Sequence, residues 1–189
     1  MKLAFLALLS CAVAMFGAEL AIGSKAPDFA LTAVDGSAVS SMSLLGAKAT
    51  VVGFVAARCP VSNAYNQRMI ALYRDFSARG VAFVFMNSNS NETAGEMKVH
   101  ARQAALEFTV YRDVANRTAD LFGAQTTPEM FLLDAGGTLR YRGAIDDAQT
   151  EARVKVRGLR LAIEAVLAGK PVEPERTRAF GCALHRVRT

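Results

Sequence analysis

The sequence is poor in residues that bind metals and in apolar runs that span membranes. It contains two histidines and three cysteines. Beyond the N-terminal segment, no apolar run reaches the roughly 18 residues that a membrane-spanning helix needs. Metal sites in proteins need three or four ligands, whereas Cys182-Ala-Leu-His185 supplies two and only Cys59 is a candidate third. A copper or zinc module is therefore a minor alternative, His100 is expected to be a surface or half-buried helix residue, and no cofactor is expected.

The net charge of +5 belongs to the C-terminal part of the chain. Residues 151–189 hold nine Lys or Arg against four Asp or Glu (9 − 4 = +5), and the first 150 residues balance at 13 against 13. These arginines lie among helix-forming residues without interleaved aromatic side chains. Basic patches alone are an unspecific signal. We therefore expect a solvated helix face and no nucleic-acid partner.

The N-terminus has the pattern of an export signal. Lys2 precedes a run from Leu3 to Phe16 that is almost wholly apolar, and small residues follow. This order resembles a secretory signal, so residues 1–18 are predicted to be a signal peptide of a periplasmic or otherwise exported protein. Leu8-Leu-Ser-Cys11 loosely resembles a lipoprotein processing site. A lipid anchor at Cys11 is the alternative, and only this anchor would attach the protein to a membrane.

The remaining chain alternates between strand and helix patterns. Asp35-Gly36 is a predicted turn between short alternating segments, and Asn87–Asn91 is predicted to cap the helix that follows it. The order implies an α/β fold with a central mixed sheet and helices on both faces. Residues 19–171 form the predicted domain, and a tail over 172–189 carries Cys182. Strands are predicted at 49–56, 81–86, 109–112, 130–133 and 138–142; helices run from Pro60 towards Gly80 and over 93–106, 114–122 and 154–167, the last with Val154, Leu161 and Val166 on one face.

Cys59 lies at the predicted turn between the strand 49–56 and the helix that starts at Pro60. Unpaired N–H groups and the positive end of a helix dipole favour a thiolate over a thiol there. Ser62, three residues on, can donate a hydrogen bond to that thiolate. The alternatives are a structural cysteine that ends a strand and an ordinary first-turn serine.

Two further features are candidate parts of a thiol site. Thr127-Pro128 leads directly into the strand 130–133, and a proline there is often cis, although only about 5–6% of X–Pro bonds are. Gly181-Cys182 follows Cys59 by about 120 residues. Cys182 can resolve a sulfenic acid or a mixed disulfide if it docks against the Cys59 turn. The alternative is a plain stabilising disulfide between Cys59 and Cys182, which secreted domains often use.

Three motifs together resemble the thioredoxin superfamily, in its redoxin branch of peroxiredoxin-like proteins (the alkyl hydroperoxide reductase and thiol-specific antioxidant family). Gly23-x-x-Ala-Pro-Asp-Phe-x-Leu31 resembles the redoxin N-terminal signature. The segment from Phe54 to Ser62 is similar to the active-site turn, with Cys59 at the first cysteine of C-x-x-C and Ser62 in place of the second. Thr127-Pro128 falls at the position of the superfamily's cis-proline. The resemblance implies a thioredoxin-like three-layer fold.

The resemblance implies a thiol–disulfide oxidoreductase in which Cys59 attacks a disulfide and Cys182 resolves the adduct. Thr127, Pro128 and Ser62 would contact the substrate, a protein or small-molecule disulfide, and a redox partner protein would donate electrons. A peroxiredoxin-like thiol peroxidase is the alternative function. Peroxiredoxins carry their peroxide-reactive cysteine at the second position, where this chain has Ser62, so their mechanism does not carry over directly. The chain is most similar to a group that keeps only the first cysteine.

Overall fold

The computed structural model describes residues 19–187. The predicted signal peptide and the alternative anchor at Cys11 lie outside this range. Within it, no helix combines the length and the apolar character that crossing a bilayer requires.

The predicted mixed sheet is confirmed. Its seven strands lie in the order β2-β1-β5-β4-β3-β7-β8, with β3, β4 and β5 parallel and the other pairs antiparallel. A separate two-stranded sheet pairs β6 with β9. The strands are β1 (Ala30–Thr32), β2 (Ala38–Ser40), β3 (Ala49–Phe54), β4 (Val81–Asn87), β5 (Val110–Arg112), β6 (Thr126–Thr127), β7 (Glu129–Asp134), β8 (Leu139–Gly143) and β9 (Cys182–Ala183).

Five helices connect or flank these strands: α1 (Pro60–Ala64), α2 (Asn66–Phe76), α3 (Ala94–Gln103), α4 (Arg117–Phe122) and α5 (Gly158–Leu167). The single helix predicted after Cys59 is divided at Tyr65, and it ends in a short 3-10 turn before Gly80, whose φ is +89°. The helix predicted from residue 114 starts later because Ala115 and Asn116 have positive φ angles of 61° and 59°.

Two other predictions of helix detail are wrong. Thr93, rather than the Asn87–Asn91 loop, caps α3, through a reciprocal pair of hydrogen bonds with Glu96. The predicted face of the last helix is also wrong, because Leu161 is 51% exposed and the buried residues are Gly158, Leu159, Ala162 and Ile163. Val154 precedes the helix in extended conformation, so it does not share the helical period.

Two apolar clusters, one on each face of the sheet, confirm the three-layer arrangement. Side chains alternate across a strand, and in β3 Val51 joins one cluster while Val52 joins the other. Helices α2 and α5 cover the first face, and α4 covers the second through Ala119 and Phe122. The sheet is thus enclosed, and the carboxyl end of β3 presents the turn that carries Cys59.

Candidate active site

The turn after β3 places Cys59 where the sequence predicts it, directly before α1. Cys59 is the N-cap residue, with φ −82° and ψ 116°, and Pro60 begins the helix. The Cys59 sulfur accepts a hydrogen bond from the backbone N–H of Ser62 at 3.3 Å. A donor to sulfur stabilises the thiolate more than the thiol, so this contact favours the reactive form in the reduced protein. Cys59 is only 4% exposed.

The Ser62 side chain does not make the predicted contact with sulfur. Its hydroxyl accepts the backbone N–H of Ala56 at 3.2 Å, inside the same turn. Ser62 is 1% exposed, and a buried N–H needs an acceptor. The side chain therefore holds the shape of the turn, while the backbone of the same residue contacts the sulfur.

The segment with Thr127 and Pro128 lies against the Cys59 sulfur, as the resemblance implied. The Thr127–Pro128 peptide bond is cis. The Cys59 Sγ lies 3.4 Å from the carbonyl oxygen of Thr127. Thr127 belongs to β6, and its carbonyl oxygen is the part of this strand that lies next to the sulfur.

Cys182 docks at this same place and forms a disulfide with Cys59. The two Cα atoms are 6.0 Å apart although 123 residues separate them in the chain. Cys182 begins β9, which pairs antiparallel with β6 so that Cys182 faces Thr127. The Leu184 N–H extends the pairing by donating to the carbonyl of Gln125 at 2.9 Å. Cys182 is half-buried and therefore more accessible than Cys59.

Buried asparagines hold the tail beyond Cys182. The N–H of His185 donates to the side-chain oxygen of Asn89 at 2.9 Å, and the N–H of Val187 donates to the side-chain oxygen of Asn116 at 2.8 Å. The N–H of Ser90 donates to the carbonyl of His185 at 2.9 Å. The asparagine-rich loop after β4 is thus an anchor for the tail rather than a helix cap.

Glu92, which no sequence motif marks, supports the Cys59 turn through hydrogen bonds to its backbone. Its carboxylate accepts the backbone N–H groups of Ala57 at 2.7 Å and Arg58 at 3.3 Å. The side-chain amide of Asn87 donates to it at 2.7 Å. Glu92 is 3% exposed, so these donors replace the water that a buried carboxylate loses. One glutamate near a polar loop gives no sequence signal for this role.

A buried ion pair fixes the start of α2 to the loop after β8. The Arg68 guanidinium contacts the carboxylate of Asp146 at 2.7 Å, and both side chains are at most 5% exposed. Arg68 also lies over the ring of Tyr65 at 3.6 Å, and the Tyr65 hydroxyl donates to Asp146 at 3.1 Å. Burial raises the pKa of Tyr65, so its hydroxyl stays protonated as a donor. The ring of Phe180, from the tail, contacts Tyr65 edge-on.

Neither His100 nor His185 forms a metal site with Cys59 and Cys182. Over residues 19–187, no group of three or more His, Cys, Asp or Glu side chains is placed to hold a metal ion. His185 is exposed and joins the tail anchors through its backbone. His100 is half-buried in α3, and burial lowers the pKa of its imidazole.

Comparisons with known proteins agree with this geometry. A model of the AhpC/TSA family matches residues 22–142. The thiol-disulfide oxidoreductase ResA of Bacillus thuringiensis is 25% identical over 119 residues, which are 63% of this chain and 67% of that protein.

Solved structures extend the likeness to nearly the whole described chain. An uncharacterised conserved protein from Geobacillus kaustophilus is 29% identical, with a TM-score of 0.83, over 90% of this chain and 94% of its own. A protein from Chlorobium tepidum, assigned as a thiol:disulfide interchange protein DsbE, is 28% identical, with a TM-score of 0.66, over 79% of this chain and 99% of its own.

The family match covers the Cys59 turn and Thr127-Pro128 but ends before Cys182. The role of the tail must therefore come from its own contacts. The motifs, the fold and the family match lead to one conclusion: this chain belongs to the AhpC/TSA family, in the redoxin branch of the thioredoxin superfamily.

Proposed function

We propose that this protein is a thiol–disulfide oxidoreductase in which Cys59 is the nucleophile and Cys182 the resolving cysteine. One observation carries the proposal. A single bond joins Cys59, at a turn that stabilises its thiolate, to a half-buried cysteine on a docked tail. The names of the ResA and DsbE relatives support the same reaction class.

The reaction begins with the reduced protein. The Cys59 thiolate attacks one sulfur of a substrate disulfide, forming a Cys59–substrate bond while the substrate S–S bond breaks. The second substrate sulfur leaves as a thiolate and takes a proton from water. The Ser62 N–H, 3.3 Å from the sulfur, raises the thiolate fraction on which the attack rate depends.

Cys182 then completes the transfer. Its thiolate attacks Cys59 Sγ, the mixed disulfide breaks, and the remaining substrate sulfur leaves as a thiolate. The substrate has gained two electrons, and the protein holds the Cys59–Cys182 disulfide seen in the structure. Ser62 cannot take this step, because a hydroxyl does not resolve a disulfide and its oxygen is turned towards Ala56.

An external thiol partner returns the protein to its reduced form. We place its attack at Cys182, because Cys182 is half-buried whereas Cys59 is 4% exposed. Cys59 then leaves as a thiolate, which the backbone N–H of Ser62 stabilises. A second partner thiol releases Cys182 and carries away the partner's disulfide.

The proposed setting is an exported one. The N-terminal pattern of residues 1–16 supports export, and disulfides persist outside the cytoplasm. Protein or small-molecule disulfides are the proposed substrates, with the backbone of Thr127 next to Pro128 as their contact. Cell fractionation and the N-terminal sequence of the mature protein test the location and the processing site.

Two cysteine variants test the mechanism with a disulfide-bonded protein substrate. Cys59→Ser should abolish reduction of the substrate. Cys182→Ser should retain the first attack and accumulate a mixed disulfide at Cys59, which intact-mass measurement and peptide mapping identify. Full reductase activity in Cys59→Ser would refute the proposal. Hydrogen peroxide supplied in parallel tests the other function, since rapid peroxide consumption without disulfide reduction would favour a peroxidase.

A further inference from the structure

The tail of the oxidised protein lies where a substrate strand would bind. It pairs antiparallel with β6, places Cys182 opposite Thr127, and joins its sulfur to Cys59. A substrate cysteine in a mixed disulfide with Cys59 must reach the same sulfur past the same carbonyl of Thr127. The tail therefore provides a template for the bound substrate.

The residue before the cysteine is the most constrained part of this template. A Cβ atom at Gly181 would overlap the carbonyl oxygen of Thr127, and it would lie 2.7 Å from the Thr127 carbonyl carbon and 3.3 Å from Pro128 Cδ. Both neighbours are rigid, since one is backbone and the other is a proline ring. Only glycine fits before the cysteine without a shift of one strand.

The residue after the cysteine meets no such limit. Ala183 is exposed, and it pairs with Thr126 at the rim of the site. Leu184, one position further, is buried against the second apolar cluster. The contacts of the tail therefore predict a strong preference for glycine before the substrate cysteine and a weak preference for the residue after it.

We propose that the preferred substrates are extended protein segments in which glycine directly precedes the reactive cysteine, bound antiparallel to Thr126–Thr127 in the place of the tail. This inference rests on the proposed function, because it describes the partner of Cys59. The same step applies: Cys59 Sγ bonds to the substrate cysteine, and the former partner of that cysteine leaves as a thiolate. The tail must leave the edge of β6 for the substrate to enter.

A pair of peptides tests the preference with the mature Cys182→Ser protein. One has the tail sequence Ala-Phe-Gly-Cys-Ala-Leu-His, and the other has alanine in place of the glycine. Each carries thionitrobenzoate on its cysteine, so attack by Cys59 on the peptide sulfur releases a coloured thiolate. We expect the glycine peptide to react about tenfold faster, as the loss of one or two backbone hydrogen bonds in a shifted strand implies. Rates with free glutathione correct for the peptides' own reactivity.

The outcomes separate this inference from the proposed function. Equal corrected rates would overturn the glycine preference and leave the role of Cys59 intact. If neither peptide reacts while the small disulfide of thionitrobenzoate does, the proposed binding of a substrate strand at Thr126–Thr127 would be overturned. No reaction with any disulfide would overturn the proposed function itself.

A matched pair of variants makes the same test within the chain. Gly181→Ala should reduce the equilibrium constant for the Cys59–Cys182 disulfide, measured against glutathione, by about tenfold on the same estimate. Ala183→Ser, at the exposed neighbour of Cys182, should leave this constant unchanged. An unchanged constant in Gly181→Ala would show that the strand accommodates a side chain, and the proposal would fail.

Discussion

Reduction of the Cys59–Cys182 bond should lower the free energy of unfolding by several kcal/mol. The bond closes a loop of 123 residues. In the chain-entropy description, a loop of this length restricts the unfolded chain by about 5 kcal/mol at 25 °C. That full difference is expected only if the native state keeps the two cysteines together after the bond is cut.

The contacts of the tail predict that the two cysteines stay together after the bond is reduced. Hydrogen bonds to Asn89, Asn116 and Gln125 hold the tail independently of the disulfide. If the tail instead came free on reduction, the reduced native state would recover part of the lost chain entropy. The difference between the oxidised and reduced proteins would then shrink. Its size therefore measures how firmly the tail is docked.

Urea denaturation of the oxidised and the reduced protein measures this difference directly. Cys182→Ser is the control, and reductant should not change its unfolding midpoint. The same energy should also appear in the redox equilibrium, because about 1.4 kcal/mol corresponds to 30 mV for a two-electron couple. A full difference of about 5 kcal/mol makes the folded disulfide about 100 mV harder to reduce than that of the unfolded chain. A difference below about 1 kcal/mol would refute a docked tail in the reduced protein.

Three further substitutions test the supports of the site. Ser62→Ala should cost about 1–3 kcal/mol of stability, because it leaves the buried N–H of Ala56 without an acceptor. The pH dependence of Cys59 alkylation should stay unchanged. A large shift in that pH dependence would mean that the Ser62 hydroxyl acts on the sulfur. Arg68→Met should cost about 3–5 kcal/mol because it leaves the buried carboxylate of Asp146 without an opposite charge. Arg74→Met, which breaks an exposed pair on the same helix, should cost less than about 1 kcal/mol, and urea denaturation measures both costs. Hydrogen bonds from Arg58 and Thr93 lower the pKa of Glu96 from 4.5 to about 2. The stabilisation by the Glu96 carboxylate is therefore present above pH 4.5 and is lost as the pH falls towards 2. Glu96→Gln should flatten the dependence of the unfolding free energy on pH over this range. An identical pH dependence in both proteins would contradict this role of Glu96.

Local chemistry made the Cys59 turn predictable. A β-branched apolar run predicts the strand, and a helical period predicts the helix that follows it. Proline is tolerated in the first turn of a helix, so Pro60 marks the helix start and fixes the position of Cys59 within a few residues. The same holds for the central strands, whose apolar side chains enter the two clusters. The docking of Cys182 against the Cys59 turn is only a hypothesis from the sequence, because nothing near Cys182 in the sequence indicates its partner.

Features that depend on tertiary contact were missed or misplaced. The sequence predicts that the Ser62 hydroxyl contacts the sulfur, but in the structure this oxygen accepts the buried N–H of Ala56, which needs an acceptor. Glu92 and Asn89 act on segments 34 or more residues away in the chain, and sequence spacing carries no record of such pairs. The face of the last helix was wrong because Val154 was counted in its period, although the chain is still extended there.

The distance between the two cysteines gives this protein a different control of its chemistry from a C-x-x-C protein. When the second cysteine lies three residues away on the same helix, the local backbone keeps it beside the first. Here the proposed resolving cysteine, Cys182, reaches Cys59 through a docked tail, 123 residues further on. The same edge of β6 that would bind a substrate also holds that tail. In the proposed mechanism, substrate binding and resolution therefore exclude one another at that edge, and the mixed disulfide should persist until the substrate strand withdraws and the tail returns.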